Sequence, residues 1–291
     1  MPDIETVQAL SEELARVGYL TDDALATALF LAVRMSQPIL LEGEPGVGKT
    51  EAAKALARAL DTSLIRLQCH EGLSSADALY EWNYPRQLLG IRLAEARGEA
   101  PAEADLFSED YLLARPLLAA IEHPGPRPAV LLIDEVDRAD DEFEAFLLEL
   151  LAEATVTIPE LGTRHAVLPP IAVLTSNRTR ELHDALKRRC LYQWIAHPGV
   201  ERVAEIIRLR VPGVEDWLAE RVARSVHTLR GMELYKPPGV AEAINWAAAL
   251  HVLGVRAFDE PALRHTMSAV LKYQEDQDLA KGVLAEVAGD G

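Results

Sequence analysis

Three observations predict an α/β fold, with a parallel sheet sandwiched by helices and an α-helical domain after it. From about Ile4 to His197 the chain alternates strand-like apolar runs with helical ones, the pattern of a parallel sheet covered on both faces. One of these runs, Pro38-Ile39-Leu40-Leu41, leads into Gly43-Glu44-Pro45-Gly46-Val47-Gly48-Lys49-Thr50, and an Ala-rich helical stretch from Glu51 to Leu60 follows. Strand, Gly-rich loop and helix in that order form a known supersecondary unit. After His197-Pro198-Gly199 the pattern becomes almost wholly helical. The domains so drawn are residues 1–197, an α/β core, and residues 198–291, an α-helical domain.

Each element has its own local reason. Arg34 to Leu41 leads into the loop, and Thr62 to Gln68 is a second strand. Ala129 to Ile133 and Pro170 to Ser176 are short apolar runs with the look of buried parallel strands, and Gln193-Trp194-Ile195 is a further one. Beyond them, Val200 to Arg210, Val214 to Leu229, Gly239 to Leu253 and Glu260 to Glu275 carry apolar positions at helical period. Pro237-Pro238-Gly239 starts one of these helices, with proline in the first turn. Glu95 to Asp110 is rich in Ala and acid and reads as a solvated insertion.

Composition bounds the function. With 291 residues the chain suits one large or two unequal domains. No apolar run approaches the ~18 residues of a membrane span. Met1 to Leu10 carries acids and no apolar core, which predicts no signal peptide and a cytoplasmic location. The two cysteines, Cys69 and Cys190, fit no metal spacing and are expected to be reduced. A formal charge of −17 disfavours general binding to nucleic acid, whose phosphates it repels.

The Gly-rich loop has the P-loop spacing, G-x-x-x-x-G-K-T. Its glycines let backbone N–H groups converge on phosphate oxygens, and the helix N-terminus adds a favourable dipole. The binding segment is Gly43, Glu44, Pro45, Gly46, Val47, Gly48, Lys49, Thr50 and Glu51. Lys49 is placed to reach the β- and γ-phosphates of ATP, and the Thr50 hydroxyl to ligate Mg²⁺. The run Ala129 to Ile133 ends on Asp134-Glu135. Acids at the C-terminal end of a parallel strand face the crevice where such sheets bind ligands. Asp134 is placed to hold the Mg²⁺ shell and Glu135 to polarise an attacking water, a Walker B arrangement whose second acid points to hydrolysis. Leu174-Thr175-Ser176-Asn177 ends another buried run on polar residues, which places Asn177 near the γ-phosphate or the water. Arg188 and Arg189, after a short helical stretch, are placed to act on a neighbouring chain's nucleotide.

These residues resemble the MoxR group of AAA+ ATPases, and within it the CoxD-like subgroup. The matching stretches are G-E-P-G-V-G-K-T at 43–50, L-L-I-D-E-V-D-R-A-D at 131–140, T-I-P-E-L-G at 157–162 and T-S-N-R-T-R-E-L-H-D-A-L-K-R-R-C at 175–190. L-I-R-L-Q-C-H-E-G at 64–72, A-L-Y-E-W-N-Y-P-R-Q-L-L at 78–89 and K-P-P-G-V-A-E-A-I-N-W at 236–246 add to it. The resemblance implies a P-loop core with a helical lid, nucleotide between them, and a ring, usually hexameric, in which a neighbour's arginine completes each site. It assigns that finger to Arg189, with Arg188 as the fallback, and sensor 1 to Asn177. It also implies a hairpin at about 154–168, with arms Thr155-Val156-Thr157-Ile158 and His165-Ala166-Val167-Leu168, and an insertion at about 90–110. One departure is visible. Relatives carry an arginine in an S-P-R-type lid motif, where this chain reads Lys236-Pro237-Pro238-Gly239-Val240-Ala241. Lys236 stands there as a point charge without the guanidinium fork.

Three functional classes follow. One is an ATP-driven chaperone or remodeller acting on a protein client, with a von Willebrand factor A domain partner and a role in metalloenzyme maturation. A second is a clamp-loader-like or motor ATPase on nucleic acid, against which the charge argues. A third is a nucleotide switch that scarcely hydrolyses ATP, against which Glu135 argues.

Overall fold

The computed structural model describes residues 4–98 and 103–282. In chain order, α1 (Val7–Arg16) and α2 (Asp23–Met35) precede β1 (Ile39–Glu42), and α3 (Lys49–Ala59) and β2 (Leu64–Gln68) follow. The chain then runs through α4 (Ser75–Leu79), β3 (Tyr80–Trp82), α5 (Tyr84–Ala96), α6 (Glu103–Leu106) and β4 (Leu112–Ala114). The chain returns through α7 (Pro116–Ile121), β5 (Val130–Asp134) and α8 (Asp141–Glu153). A hairpin of β6 (Thr155–Ile158) and β7 (Gly162–His165) comes next, then β8 (Ile171–Ser176), α9 (Asp184–Arg189) and β9 (Leu191–Trp194). The remainder is helical: α10 (Val200–Arg210), α11 (Asp216–Arg230), α12 (Val240–Val252), α13 (Glu260–Val270) and α14 (Gln274–Lys281). No helix among the described residues is long and apolar enough to cross a membrane.

The chain forms two compact units. One holds Met1–Leu14, Thr21–Glu42 and Thr50–Trp194, and the other holds Ala15–Leu20, Gly43–Lys49 and Ile195–Gly291. The Gly-rich loop is thus grouped with the C-terminal helices. The first unit is built on a five-stranded sheet in the order β2-β5-β8-β1-β9, every neighbouring pair parallel. Its inner strands β1, β5 and β8 are buried at every residue, as continuous apolar runs covered on both faces require. The edge strands β2 and β9 are only partly buried. Each fully buried Leu or Ile in these runs contributes about 1.5–3 kcal/mol. Register then aligns the strand ends: Gln68 pairs with Asp134, Ile133 with Leu174, and Glu42 with Ser176.

The other unit has its own core, with Trp246, Leu250, Leu263, Val226 and Ile207 fully buried. The Trp246 indole N–H donates to Thr266 Oγ1 at 2.8 Å, so the largest buried ring leaves no polar atom unpaired.

The structure departs from the sequence reading at particular elements. The second hairpin arm is Gly162–His165, not 165–168: Thr155 pairs with His165 and Ile158 with Gly162. Gly162 adopts φ +84°, which closes a short loop by returning the chain early. Val167, expected in the arm, is 89% exposed. The insertion does not begin at Gly90, which lies inside α5. It is framed by the antiparallel pair β3 and β4, so the excursion starts at Tyr80 and ends at Ala114. Part of the acidic stretch, residues 99–102, lies outside the described residues. The helix expected from Glu260 to Glu275 stops at Val270, because Leu271 turns extended and is buried. α14 then brings buried Asp276 to accept the backbone N–H groups of Tyr235 and Lys236 at 2.7 and 3.1 Å.

Candidate functional site

The Gly-rich loop leaves β1 at Gly43. A Cβ at Gly43 would lie 2.3 Å from the Ile195 carbonyl oxygen, so no other residue fits. At Gly46 a Cβ would meet Gly239 Cα at 2.9 Å, and Val240 N–H donates to the Gly46 carbonyl at 3.0 Å. Backbone therefore approaches backbone where the loop meets the start of α12. Lys49 is buried, and its Nζ donates to the carbonyls of Gly43 and Glu44 at 2.7 and 2.8 Å. α3 begins at Lys49, so the unpaired amides of its first turn open at the end of the loop. The Glu51 side chain pairs with Arg58 at 2.7 Å along the helix.

Two further residues close on the loop's first half. His197 Nε2 lies 3.0 Å from Glu44 Oε2. Burial pushes the imidazole below its ordinary pKa, Arg230 and Lys49 push the same way, and Glu44 opposes them. Arg230 ends α11 and donates from Nε to the Pro238 carbonyl at 2.7 Å. The Lys236 side chain is exposed, while its backbone N–H is held by Asp276.

In the sheet unit, Asp134 is buried at the end of β5 and gathers four donors. Thr50 Oγ1 and Thr175 Oγ1 donate to Oδ1 at 2.9 and 2.6 Å, and Arg66 Nε and Nη2 donate to Oδ2 at 3.0 and 2.6 Å. Glu135 sits at φ +55°, a left-handed turn that points it away from the strand path. Its N–H donates to Thr175 Oγ1 at 2.9 Å, and its Oε2 accepts from Gln68 Nε2 at 3.0 Å and Arg138 Nη1 at 3.3 Å. Thr175 therefore holds the carboxylate of one acid and the backbone of the next. A hydroxyl beside a carboxylate is the hard-oxygen donor pair that Mg²⁺ takes alongside phosphate, so Thr50 and Asp134 fit the expected cation.

Asn177 follows β8 directly and is half-buried. The segment after it is tied down by buried acids. Asp137 accepts from the Thr179 N–H and hydroxyl at 2.8 and 2.7 Å. Glu144, fully buried on α8, pairs with Arg180 and accepts from His183 N–H at 2.9 Å. That clamp sets the start of α9, which carries Arg188 and Arg189, both exposed. Arg189 Nη1 donates to the Leu148 carbonyl at 3.1 Å.

Sequence reasoning missed Arg66, Gln68, Thr175, His197 and Arg230 as site residues. For Arg66 and Gln68 the signal was the register of a strand beside the one ending in Asp134. Thr175 stood inside a recognised run of polar residues. No local signal marked His197 or Arg230.

A family description, the AAA domain of the dynein-related subfamily, matches residues 38–190. Among curated relatives, the chain is 28% identical over 271 residues to ATP-dependent zinc metalloprotease FtsH 2 of Conexibacter woesei, across 87% of this chain and 33% of that protein. It is 25% identical over 214 residues to Chaperone MoxR1 of Mycobacterium tuberculosis, across 70% of this chain and 48% of that one. Denitrification regulatory protein NirQ of Pseudomonas aeruginosa is 24% identical over 230 residues, 77% of this chain and 78% of that one. The chain thus spans a third to a half of the length of the first two. Among solved structures, the Thermotoga maritima RuvB Holliday junction branch migration motor superposes with a TM-score of 0.50 at 19% identity, over 85% of this chain and 69% of that one, a likeness of fold alone. The family match runs from the strand before the Gly-rich loop to the cysteine after Arg189, more than half of the chain, and by it the chain belongs to the dynein-related subfamily of AAA domains.

Proposed function

We propose that this chain is a Mg²⁺-dependent ATPase of the MoxR type that works as a ring, usually of six subunits, on a protein client in the cytoplasm. The observation that carries the reading is the convergence on Asp134 and Glu135. The Thr50 hydroxyl, one residue past the loop lysine, bonds the first acid, and Thr175 braces both. In this reading the loop amides hold the phosphates, and Lys49 exchanges its carbonyl partners for phosphate oxygens. Thr50 and Asp134 supply protein oxygens to Mg²⁺, whose charge offsets that of the phosphates when bound. Glu135 orients the water that attacks the terminal phosphorus, releasing ADP and phosphate. Gln68 holds one oxygen of that carboxylate, which fixes where the other points. Asn177 contacts the water or the γ-phosphate, and Arg189, with Arg188 as alternative, stabilises charge in the neighbour's site. The likeness to a protein named a chaperone supports a client of protein nature. A von Willebrand factor A domain partner and a role in metalloenzyme maturation belong to the same reading. With a net charge of −17, the chain offers no general surface for nucleic acid.

The test compares Lys49→Ala with Glu135→Gln. Binding is followed with a fluorescent ATP analogue and turnover by phosphate release. Lys49→Ala is expected to weaken binding, because a phosphate-neutralising charge is gone. Glu135→Gln is expected to keep binding and lower turnover about a hundredfold or more, because the cradle remains and the base is lost. ATP-loaded Glu135→Gln rings are then expected to retain the client. Equal loss of binding in both variants would falsify these roles.

A further inference from the structure

Both carboxylate oxygens of Asp134 are engaged, each by two donors. The hydroxyls of Thr50 and Thr175 donate to Oδ1 at 2.9 and 2.6 Å, and Arg66 Nε and Nη2 donate to Oδ2 at 3.0 and 2.6 Å. The two kinds of donor respond differently to a metal ion. A hydroxyl carries lone pairs as well as a proton, so it can turn its oxygen to the ion and stay in place. A guanidinium carries five donors, a permanent positive charge and no acceptor. It offsets the negative charge that attracts a cation, and it repels the cation once that arrives. Thr50 and Thr175 are therefore compatible with a filled metal site, and Arg66 opposes filling.

The place of Arg66 in the sheet lets it give way. β2 is an edge strand, and its Gln68 lies opposite Asp134 in the ladder. Residues two apart on a strand share a face, so Arg66 stands on the face of Asp134 and reaches along the strand to its carboxylate. The Asp134 side chain is 3% exposed and that of Arg66 46%. The acid is fixed and buried, whereas the guanidinium has solvent beside it. A buried carboxylate without a counter-charge is costly, and Arg66 supplies that charge. Its Nη2 also bonds Gln68 Oε1, a neutral partner on its own strand that does not depend on Asp134.

We propose that Arg66 competes with the divalent cation for Asp134, and so sets the Mg²⁺ concentration at which the nucleotide site fills. The proposal rests on the Mg²⁺–ATP reading of Thr50 and Asp134. Arg66 is a positioning residue here: it touches neither phosphate nor water, and acts only through the carboxylate it holds. Two opposite effects follow from one contact. The pair stabilises the chain by neutralising a buried acid, and it lowers the affinity of that acid for Mg²⁺. Removing Arg66 therefore destabilises the chain without metal and tightens the metal when nucleotide is present. A purely structural arginine, needed to aim Asp134, would instead weaken both on removal.

The experiment measures binding of a fluorescent, non-hydrolysable ATP analogue to the full chain, first in EDTA and then across a Mg²⁺ titration, with thermal melts alongside. Arg66→Met is expected to leave binding in EDTA within about threefold and to lower the half-saturating Mg²⁺ concentration about tenfold or more. Its melting temperature is expected to fall in EDTA and to recover more than that of the unaltered chain when Mg²⁺ and the analogue are added. Arg66→Lys keeps a charge and loses the fork, so a shift of about threefold in the same direction is expected. If Arg66→Met does not fold, Arg66→Lys carries the test. A half-saturating Mg²⁺ concentration that rises or stays unchanged overturns the proposal. So does weakening of the analogue in EDTA beyond about threefold, which would make Arg66 a phosphate contact. A Mg²⁺ effect that Asp134→Asn abolishes and Arg66 variants do not move leaves the metal site standing and removes this assignment alone. Failure of Mg²⁺ to alter binding to the unaltered chain overturns both.

Discussion

Asp134 shows how much a single side chain can be made to do by its neighbours. Two hydroxyls and a guanidinium, from residues 41 to 84 positions away in sequence, converge on a buried carboxylate and satisfy it. Cys69 lies close enough to register this. Burial pushes its thiol up to about 12, and the carboxylates of Asp134, Asp137 and Glu135 add to the effect. Cys190 is pushed up to about 12 by burial alone. Both thiols are therefore expected to stay protonated and resist iodoacetamide at pH 8, with alkylation appearing only in denaturant, as followed by mass spectrometry. Labelling of the folded chain at the rate of a free thiol would contradict the packing around β2 and α9. At this scale, residues with fixed spacing were legible: Lys49, Thr50, Asp134 and Glu135 announce themselves by pattern. Arg66 and Gln68 were not, because alternating polar residues on an edge strand look like a solvated face. His197 and Arg230 were not, because their neighbours on the loop are some 150 or more positions away in sequence.

Elements were legible where burial dictates them. β1, β5 and β8 are apolar throughout because both faces are covered, and such runs stand out in any sequence. The hairpin register was misjudged, because the resemblance gives a hairpin without its register, while the turn is decided by one glycine at positive φ. The split between α13 and α14 is tertiary: Asp276 must turn inward to hold the Tyr235 and Lys236 amides, and no local propensity says so. α9 depends on a neighbouring helix in a similar way. Glu144 on α8 holds Arg180 and the His183 N–H, and so sets where α9 starts. Glu144→Ala is expected to cost about 3 kcal/mol, the low end for breaking a buried pair, because Arg180 keeps some access to solvent. Urea unfolding measures this, and a change below 0.5 kcal/mol, on the order of an ordinary surface substitution, would show that the clamp is incidental. Turnover is expected to fall further than stability explains, since the helix bearing Arg188 and Arg189 loses its anchor.

At the scale of the whole molecule, the exposed arginines on α9 raise the question of assembly. If Arg189 serves a neighbour, specific activity rises with protein concentration, and Arg189→Ala removes turnover while ATP still binds. Mixing Arg189→Ala with Glu135→Gln chains is expected to restore activity, because one kind retains its water-orienting acid and the other its finger. A mixture that co-assembles yet stays inactive would rule out action in trans. The fold class was within reach of the sequence because alternation is a global pattern. The grouping of the Gly-rich loop with the C-terminal helices was not, since it arises from contacts such as that of Gly46 with Gly239. That contact is made of peptide planes alone, one carbonyl, one N–H and two α-carbons. These four groups carry no net charge, although the Glu242 carboxylate that accepts the Gly239 N–H lies against them. Rising salt therefore has little direct handle on the backbone hold of α12 on the loop.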